Sequence, residues 1–338
     1  MNLPRRNTEP YVGGASPLPR RHILDLDDFS MDEIKSTMQN TDAMREVFGR
    51  EIRKVPTLRG KTVLTLFYEA STRTRVSFEQ AGKILSADVI NVSAKGSSSE
   101  KGESLYNTAL TLQAMNADII VVRHPDSGAP YFLARHLKAC VINAGDGTHA
   151  HPTQALLDMY TINRHFGKLK GLKVTIVGDL LHSRVGRSNL WGLTKAGADI
   201  TLCAPPTLLP PDLISPQARP EGHPFAAVQV EDDIERAVKG AHVVMALRLQ
   251  LERQVSGLLP SLREYSRLYS ITSKRMSLAE PGALVMHPGP MNEGVEIDSD
   301  VAHGAHSVIE EQVTNGVAVR MAVLYAVVTP TPPKGQAS

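Results

Sequence analysis

The feature that most constrains this chain is a recurring pair: a short apolar run, then apolar residues at helical spacing. Residues 62–68 are β-branched and aromatic, the composition of a buried strand. From Arg75 onward, Val76, Phe78, Ala81, Ile84 and Leu85 recur as on one face of a helix. The same alternation predicts strands at residues 88–92, 118–122 and 139–143, with helices near 103–115, 128–137 and 152–165. It restarts after Gly167-Lys168-Leu169-Lys170-Gly171, with strands at 173–177, 199–203, 228–230, 243–246 and 283–286. Helices are expected there at 187–196 and 234–238, and residues 247–267 read as an irregular, mobile loop. Alternating βα units dictate parallel sheets covered on both faces. The fold class is therefore α/β, with two doubly wound parallel-sheet domains and a site in the cleft between them. Ligands of such sheets sit beyond the carboxyl ends of strands.

The flanks are legible too. Ser30-Met31-Asp32-Glu33 is a capping box, with Phe29 and Ile34 as a hydrophobic staple, opening a helix that runs to about residue 48. Residues 307–328 carry apolar side chains at helical spacing and predict a C-terminal helix that packs back on the first domain. Residues 1–21 and 329–338 read as mobile tails. With 338 residues, 42% of them apolar, the chain can build two cores. A net charge of +2 gives no argument for a nucleic-acid or membrane partner. Cys140 and Cys203 are too few for a disulfide framework or a zinc site and read as buried thiols. The N-terminal segment lacks the apolar core of a secretory signal, so a cytoplasmic protein is expected.

Chemistry concentrates in the loops that follow strands. Ser71-Thr72-Arg73-Thr74-Arg75 lies where a strand runs into a helix. Unpaired N–H groups and the positive end of the helix dipole sit there, and hydroxyls with a guanidinium complete an anion site suited to phosphate. Arg123-His124-Pro125 follows a strand end and faces the same crevice as Arg73. In His151-Pro152-Thr153-Gln154, His151 and Gln154 are three apart at a helix start and can address one ligand. After the strand at 173–177 a nucleotide site would require G-x-G-x-x-G. The chain has Gly178-Asp179-Leu180-Leu181-His182-Ser183-Arg184 instead, which argues for a carboxylate held by Arg184, with Asp179 fixing the turn or orienting a cation. Arg248 and Gln250 follow another strand end and face one way in extended backbone, whereas Arg253 reads as a surface residue. Pro288 and Pro290, around Gly289, fix a turn whose carbonyls are left to accept from an NH2 group.

Taken in order, these elements resemble the aspartate and ornithine carbamoyltransferases. The resemblance runs from about His22 to Val328 through STRTR, the lysine loop before Gly102-Glu103, RHP, HPTQ, the Arg184 turn and HPGP. It implies that Ser71, Thr72, Arg73, Thr74, Arg123, His151, Gln154, Gly289 and Pro290 bind carbamoyl phosphate. It also implies that Ser97 and Lys101 reach into a neighbouring subunit's site, that Arg184, Arg248 and Gln250 address the amino-acid substrate, and that Arg73, Thr74, Arg123, His151 and Lys101 serve catalysis. Residues 22–155 would form the carbamoyl-phosphate domain and 156–306 the aspartate domain. The cationic Arg248 segment and HPGP, in place of His-Cys-Leu-Pro, point to the aspartate branch and the committed step of pyrimidine synthesis. No metal or organic cofactor is implied. The partners implied are the two substrates and a homotrimer with shared sites, leaving open a higher assembly with regulatory chains or dihydroorotase. An ornithine enzyme, a non-catalytic regulatory homologue and a nicotinamide-dependent dehydrogenase stand as alternatives.

Overall fold

The computed structural model describes residues 20–93, 103–214, 219–251, 253 and 257–328. In the first half the order is α1 (Met31–Glu46), β1 (Thr62–Phe67), α2 (Thr72–Ile84), β2 (Asp88–Ser93), α3 (Leu105–Ala114), β3 (Ile119–His124), α4 (Ala129–His136), β4 (Cys140–Asp146) and α5 (Pro152–Phe166). The second half continues with β5 (Lys173–Gly178), α6 (Arg184–Lys195), β6 (Asp199–Cys203), α7 (Pro211–Ile214), β7 (Gln229–Glu231), α8 (Ile234–Val238) and β8 (Val243–Leu247). It closes with α9 (Leu262–Tyr269), α10 (Ser273–Met276), β9 (Leu284–Met286), α11 (Ser299–Ala302) and α12 (Ile309–Val328).

Two sheets form, in the orders β2-β1-β3-β4 and β7-β6-β5-β8-β9, and every pairing is parallel. The central strands are buried in unbroken runs, Val63 to Phe67 and Val243 to Leu247 among them, as sheets covered on both faces require. In each order the chain reverses its direction of growth once, between β1 and β3 and between β5 and β8. A crevice opens at such a switch point.

α12 is buried almost all round, which suits a helix enclosed by others rather than one at a surface. It packs on α1, α2 and α5. Its polar side chains are tied in: Asn315 Nδ2 donates to Thr161 Oγ1 at 2.8 Å, and Gln312 Nε2 donates to Asp158 Oδ1 at 2.7 Å. The residue 155/156 boundary falls inside α5, which is continuous from Pro152 to Phe166. Among the described residues no helix is long and apolar enough to cross a membrane.

Three local readings are corrected. α2 and α6 each begin earlier than expected, at Thr72 and Arg184, because Ser71 and Ser183 take the cap positions. Residues 247–267 are not irregular throughout: α9 begins at Leu262, where Ser261 Oγ accepts the Glu264 N–H at 3.1 Å. Cys203 is buried, but Cys140 is only partly so. The expected tails lie outside the described residues, apart from Arg20 and Arg21.

The capping box of α1 is complete, with Glu33 N–H donating to Ser30 Oγ and Ser30 N–H donating to Glu33 Oε2. Ser30→Ala should lower stability by about 1 kcal/mol, seen as an earlier denaturant midpoint.

Candidate active site

The switch points of both sheets open onto one cavity of about 730 Å³. β1 and β3 deliver Ser71 to Thr74 and Arg123; the β5 and β8 ends deliver Arg184, Arg248 and Gln250. His151 and Gln154 enter from the start of α5, and Pro288, Gly289 and Pro290 from the turn after β9. Among the described residues, six arginines line the space against one carboxylate, Glu69.

Three helices point their N-termini here. His151 is the cap residue of α5, and Ser71 that of α2; neither side chain makes a capping hydrogen bond. The first N–H groups of α2 therefore keep their positive field for something in the cleft, whereas in α5 Pro152 has no N–H and the Gln154 N–H donates to the His151 carbonyl. α6 begins at Arg184, capped by Ser183 Oγ, which accepts the Gly186 N–H. Each early helix start thus puts an arginine in a first turn beside the cavity.

Glu69 holds the cationic wall together. Arg184 Nη2 donates to its Oε2 at 2.6 Å, Arg123 Nε lies 3.3 Å from the same oxygen, and Arg253 Nη2 donates to Oε1 at 3.2 Å. Arg123 belongs to the first sheet, Arg184 and Arg253 to the second half, so one carboxylate spans the cleft. Burial alone would push the Glu69 carboxyl up, but Arg184, Arg123 and Arg253 together hold it below the usual carboxylate range. Burial, then the neighbouring Arg184, draws Arg123 down to about 9, still protonated at neutral pH.

Close approach of two like charges needs bare backbone. Gly145 has φ +115°, and a Cβ there would lie 2.9 Å from both Arg123 Nη1 and Arg184 Cζ. Arg123 Nη1 donates to Ala144 O at 3.0 Å, and Arg184 Nη1 to Gly147 O at 3.2 Å, so the β4 loop backbone takes part of each guanidinium. Gly289, at φ +67°, plays the same part for Arg73, whose guanidinium occupies the space a Cβ would fill.

His151 is buried, and its Nδ1 has no hydrogen-bond partner. Burial, then Arg123 and Arg184, push its pKa well below the ordinary value, so the ring is neutral at pH 7. Gln154 Nε2 donates to the buried Asp158 Oδ1 at 3.0 Å, which leaves Gln154 Oε1 as its acceptor for the cavity. Asp158 also accepts from Asn189 and Gln312, yet burial raises it to about 6. On the opposite wall, Gln250 N–H donates to Asp179 Oδ2 at 3.1 Å, and Arg248 Nη2 donates to Gln250 Oε1 at 3.3 Å. Asp179 also accepts the His182 N–H, so it fixes the turn after β5 and ties it to the β8 loop.

Residues 21–164 match the family described as aspartate/ornithine carbamoyltransferase, carbamoyl-P binding domain. Residues 170–327 match aspartate/ornithine carbamoyltransferase, Asp/Orn binding domain. The chain belongs to the aspartate/ornithine carbamoyltransferase family. Among carbamoyltransferase relatives, the aspartate carbamoyltransferase catalytic subunit of Roseiflexus castenholzii is 58% identical over 94% of this chain and 98% of its own length. That of Dehalococcoides mccartyi is 54% identical over 94% and 95%. The solved aspartate transcarbamoylase from Trypanosoma cruzi, in complex with carbamoyl phosphate and aspartate, superimposes with a TM-score of 0.82 at 30% identity, covering 92% of this chain and 99% of that one. Ornithine carbamoyltransferase from Pyrococcus furiosus gives 0.81 at 29% identity, covering 91% and 97%. Both branches of this carbamoyltransferase family therefore share the backbone, and side chains must separate them.

Every expected site residue within the described set lines the one cavity; Ser97 and Lys101 lie outside the described residues. Three further charged residues line it unforeseen. Arg253 was expected at the surface, but Glu69 and the His182 carbonyl hold it inward. Glu69 itself carried a signal, since it stands at the carboxyl end of β1 beside the arginine-rich turn. Arg320 of α12 is buried, 5.2 Å from the Phe78 ring centroid, and no local motif marks it.

The neutral state of His151 has a measurable consequence. Its folded pKa lies below the unfolded value near 6.5, so its contribution to stability is present above that pH and is lost as pH falls below it. Between about pH 7 and pH 5, the wild-type protein should lose more stability than His151→Gln, measured by denaturant midpoints.

Proposed function

We propose that this protein transfers the carbamoyl group of carbamoyl phosphate to the amine of L-aspartate, giving N-carbamoyl-L-aspartate and phosphate. In the cell this would be the committed step of pyrimidine synthesis, carried out in the cytoplasm. The observation that carries this reading is the convergence of Arg73, Arg123, Arg184 and Arg248, from both sheets, on one cavity. Such a site suits two substrates that together bring a phosphate and two carboxylates. Ornithine would place an ammonium among these guanidiniums, where like charges repel.

In the reaction, Ser71, Thr72, Arg73 and Thr74, at the N-terminus of α2, hold the phosphate. Arg123 and neutral His151 address the carbonyl oxygen, and Gln154 Oε1 with the carbonyls of the Gly289–Pro290 turn accept the carbamoyl NH2. Arg184 takes the α-carboxylate of aspartate; Arg248, steadied by Gln250, takes the side-chain carboxylate. The neutral amine attacks the carbamoyl carbon. A C–N bond forms, the C–O bond to phosphate breaks, and the amine proton leaves with the phosphate. Orientation and preorganised charge lower the barrier, and well-placed reactants can recover about 7–11 kcal/mol of it. Residues 22–155 form the carbamoyl-phosphate domain and 156–306 the aspartate domain, in a homotrimer whose Ser97 and Lys101 complete a neighbour's site.

An assay with carbamoyl phosphate and each amino acid tests the reading. Phosphate release should require aspartate, and turnover with ornithine alone would overturn it. Arg248→Ala should raise the aspartate KM about 10- to 100-fold, the loss expected for a charge-assisted hydrogen bond worth about 1.5–3 kcal/mol. For the shared site, Lys101→Ala and Arg73→Ala proteins, each inactive, should regain partial activity when their subunits are mixed and reassembled; no recovery would count against it.

A further inference from the structure

The turn after β9 rests on a buried polar pair. His287 and Glu296 are each 1% exposed. The Gly289 N–H donates to His287 Nδ1 at 2.8 Å. The ring proton therefore sits on Nε2, which donates to Glu296 Oε1 at 3.2 Å. The same oxygen accepts the Asn292 N–H at 2.6 Å, while Glu296 Oε2 is buried without a partner. The His287 N–H donates to Gln312 Oε1 at 3.0 Å, and Gln312 in turn serves Asp158, the carboxylate that orients Gln154.

Burying such groups is unfavourable, and an apolar pair would fill the space at lower cost. What the polar pair supplies is direction. A neutral imidazole held by a donor on one side and an acceptor on the other fixes the Gly289 N–H. Because the peptide unit is planar, it also fixes the Pro288 carbonyl, which points away from the buried ring. Protonation of Nδ1 would set two donors face to face; burial, with Arg73 and Arg248 nearby, lowers the His287 pKa and keeps the ring neutral. The glycine held in this way is the one against which Arg73 lies.

We propose that His287 and Glu296 are positioning residues, which aim the Pro288–Gly289 peptide at the carbamoyl NH2 and seat Arg73 against Gly289. The proposal rests on the carbamoyl-phosphate reading of the cavity. Turnover by the wild-type protein tests that reading by itself, whereas ratios between variants test the pair. His287→Asn keeps an oxygen acceptor near the place of Nδ1; His287→Gln keeps a polar group near Nε2 and loses the bond to Gly289. The measurements are kcat/KM for carbamoyl phosphate and the thermal midpoint. His287→Gln should lose about 100-fold in kcat/KM, the scale of an ångström-sized misplacement, and His287→Asn should stay within about tenfold of wild type at a similar midpoint. Equal losses in the two variants, or losses that follow the fall in midpoint, would reduce the pair to packing and overturn the proposal. Glu296→Leu, which strips the acceptor from Nε2–H, gives a second reading: lower carbamoyl-phosphate efficiency is expected, and an unchanged value would also overturn it.

Discussion

A cleft lined by six guanidiniums and three helix N-termini would drive its own walls apart without a counter-charge. Glu69 supplies it. Its two oxygens engage Arg123 from one sheet and Arg184 and Arg253 from the other half of the chain. The ion pairs are partly shielded from water, so their attraction is screened less than at a surface. The same contacts set the spacing of the arginines that give the cavity its positive lining.

Behind this wall lies a second layer of buried polar groups. Asp158 takes amide donors from Gln154, Asn189 and Gln312, which belong to α5, α6 and α12. Each donor comes from a different helix, so one carboxylate registers three elements around the site. His287 is joined to the same layer through Gln312. Through Asp158 these contacts orient Gln154, which lines the cavity, while Asn189 Oδ1 and Glu296 Oε2 stay buried without a partner. The C-terminal helix thereby contributes to the site although its cavity-lining Arg320 belongs to no recognisable motif.

Family and substrate class were separated by different kinds of observation. The backbone alone does not distinguish the two branches, since solved aspartate and ornithine enzymes superimpose on it almost equally well. Charge does: Arg184, Arg248 and Arg253 line that wall, and the one carboxylate among the described lining residues, Glu69, is already occupied by guanidiniums.

The sequence by itself determined the βα alternation, the parallel sheets and about half of the residues that line the cavity, because periodicity and turn composition are local properties of the chain. STRTR, HPTQ and the turn after β9 were legible since each follows a strand within a few residues. The early starts of α2 and α6 were missed because Ser71-Thr72-Arg73 and Ser183-Arg184 read equally well as loop or as first turn. α9 was missed although its Ser261-x-x-Glu264 pattern was in view. Only the tertiary structure decided that Arg253 turns inward, that Arg320 reaches the cavity, and that Glu69 and the His287–Glu296 pair hold opposite sides of the site. Those roles depend on partners far away along the chain, and such distances are set by packing rather than by neighbouring residues.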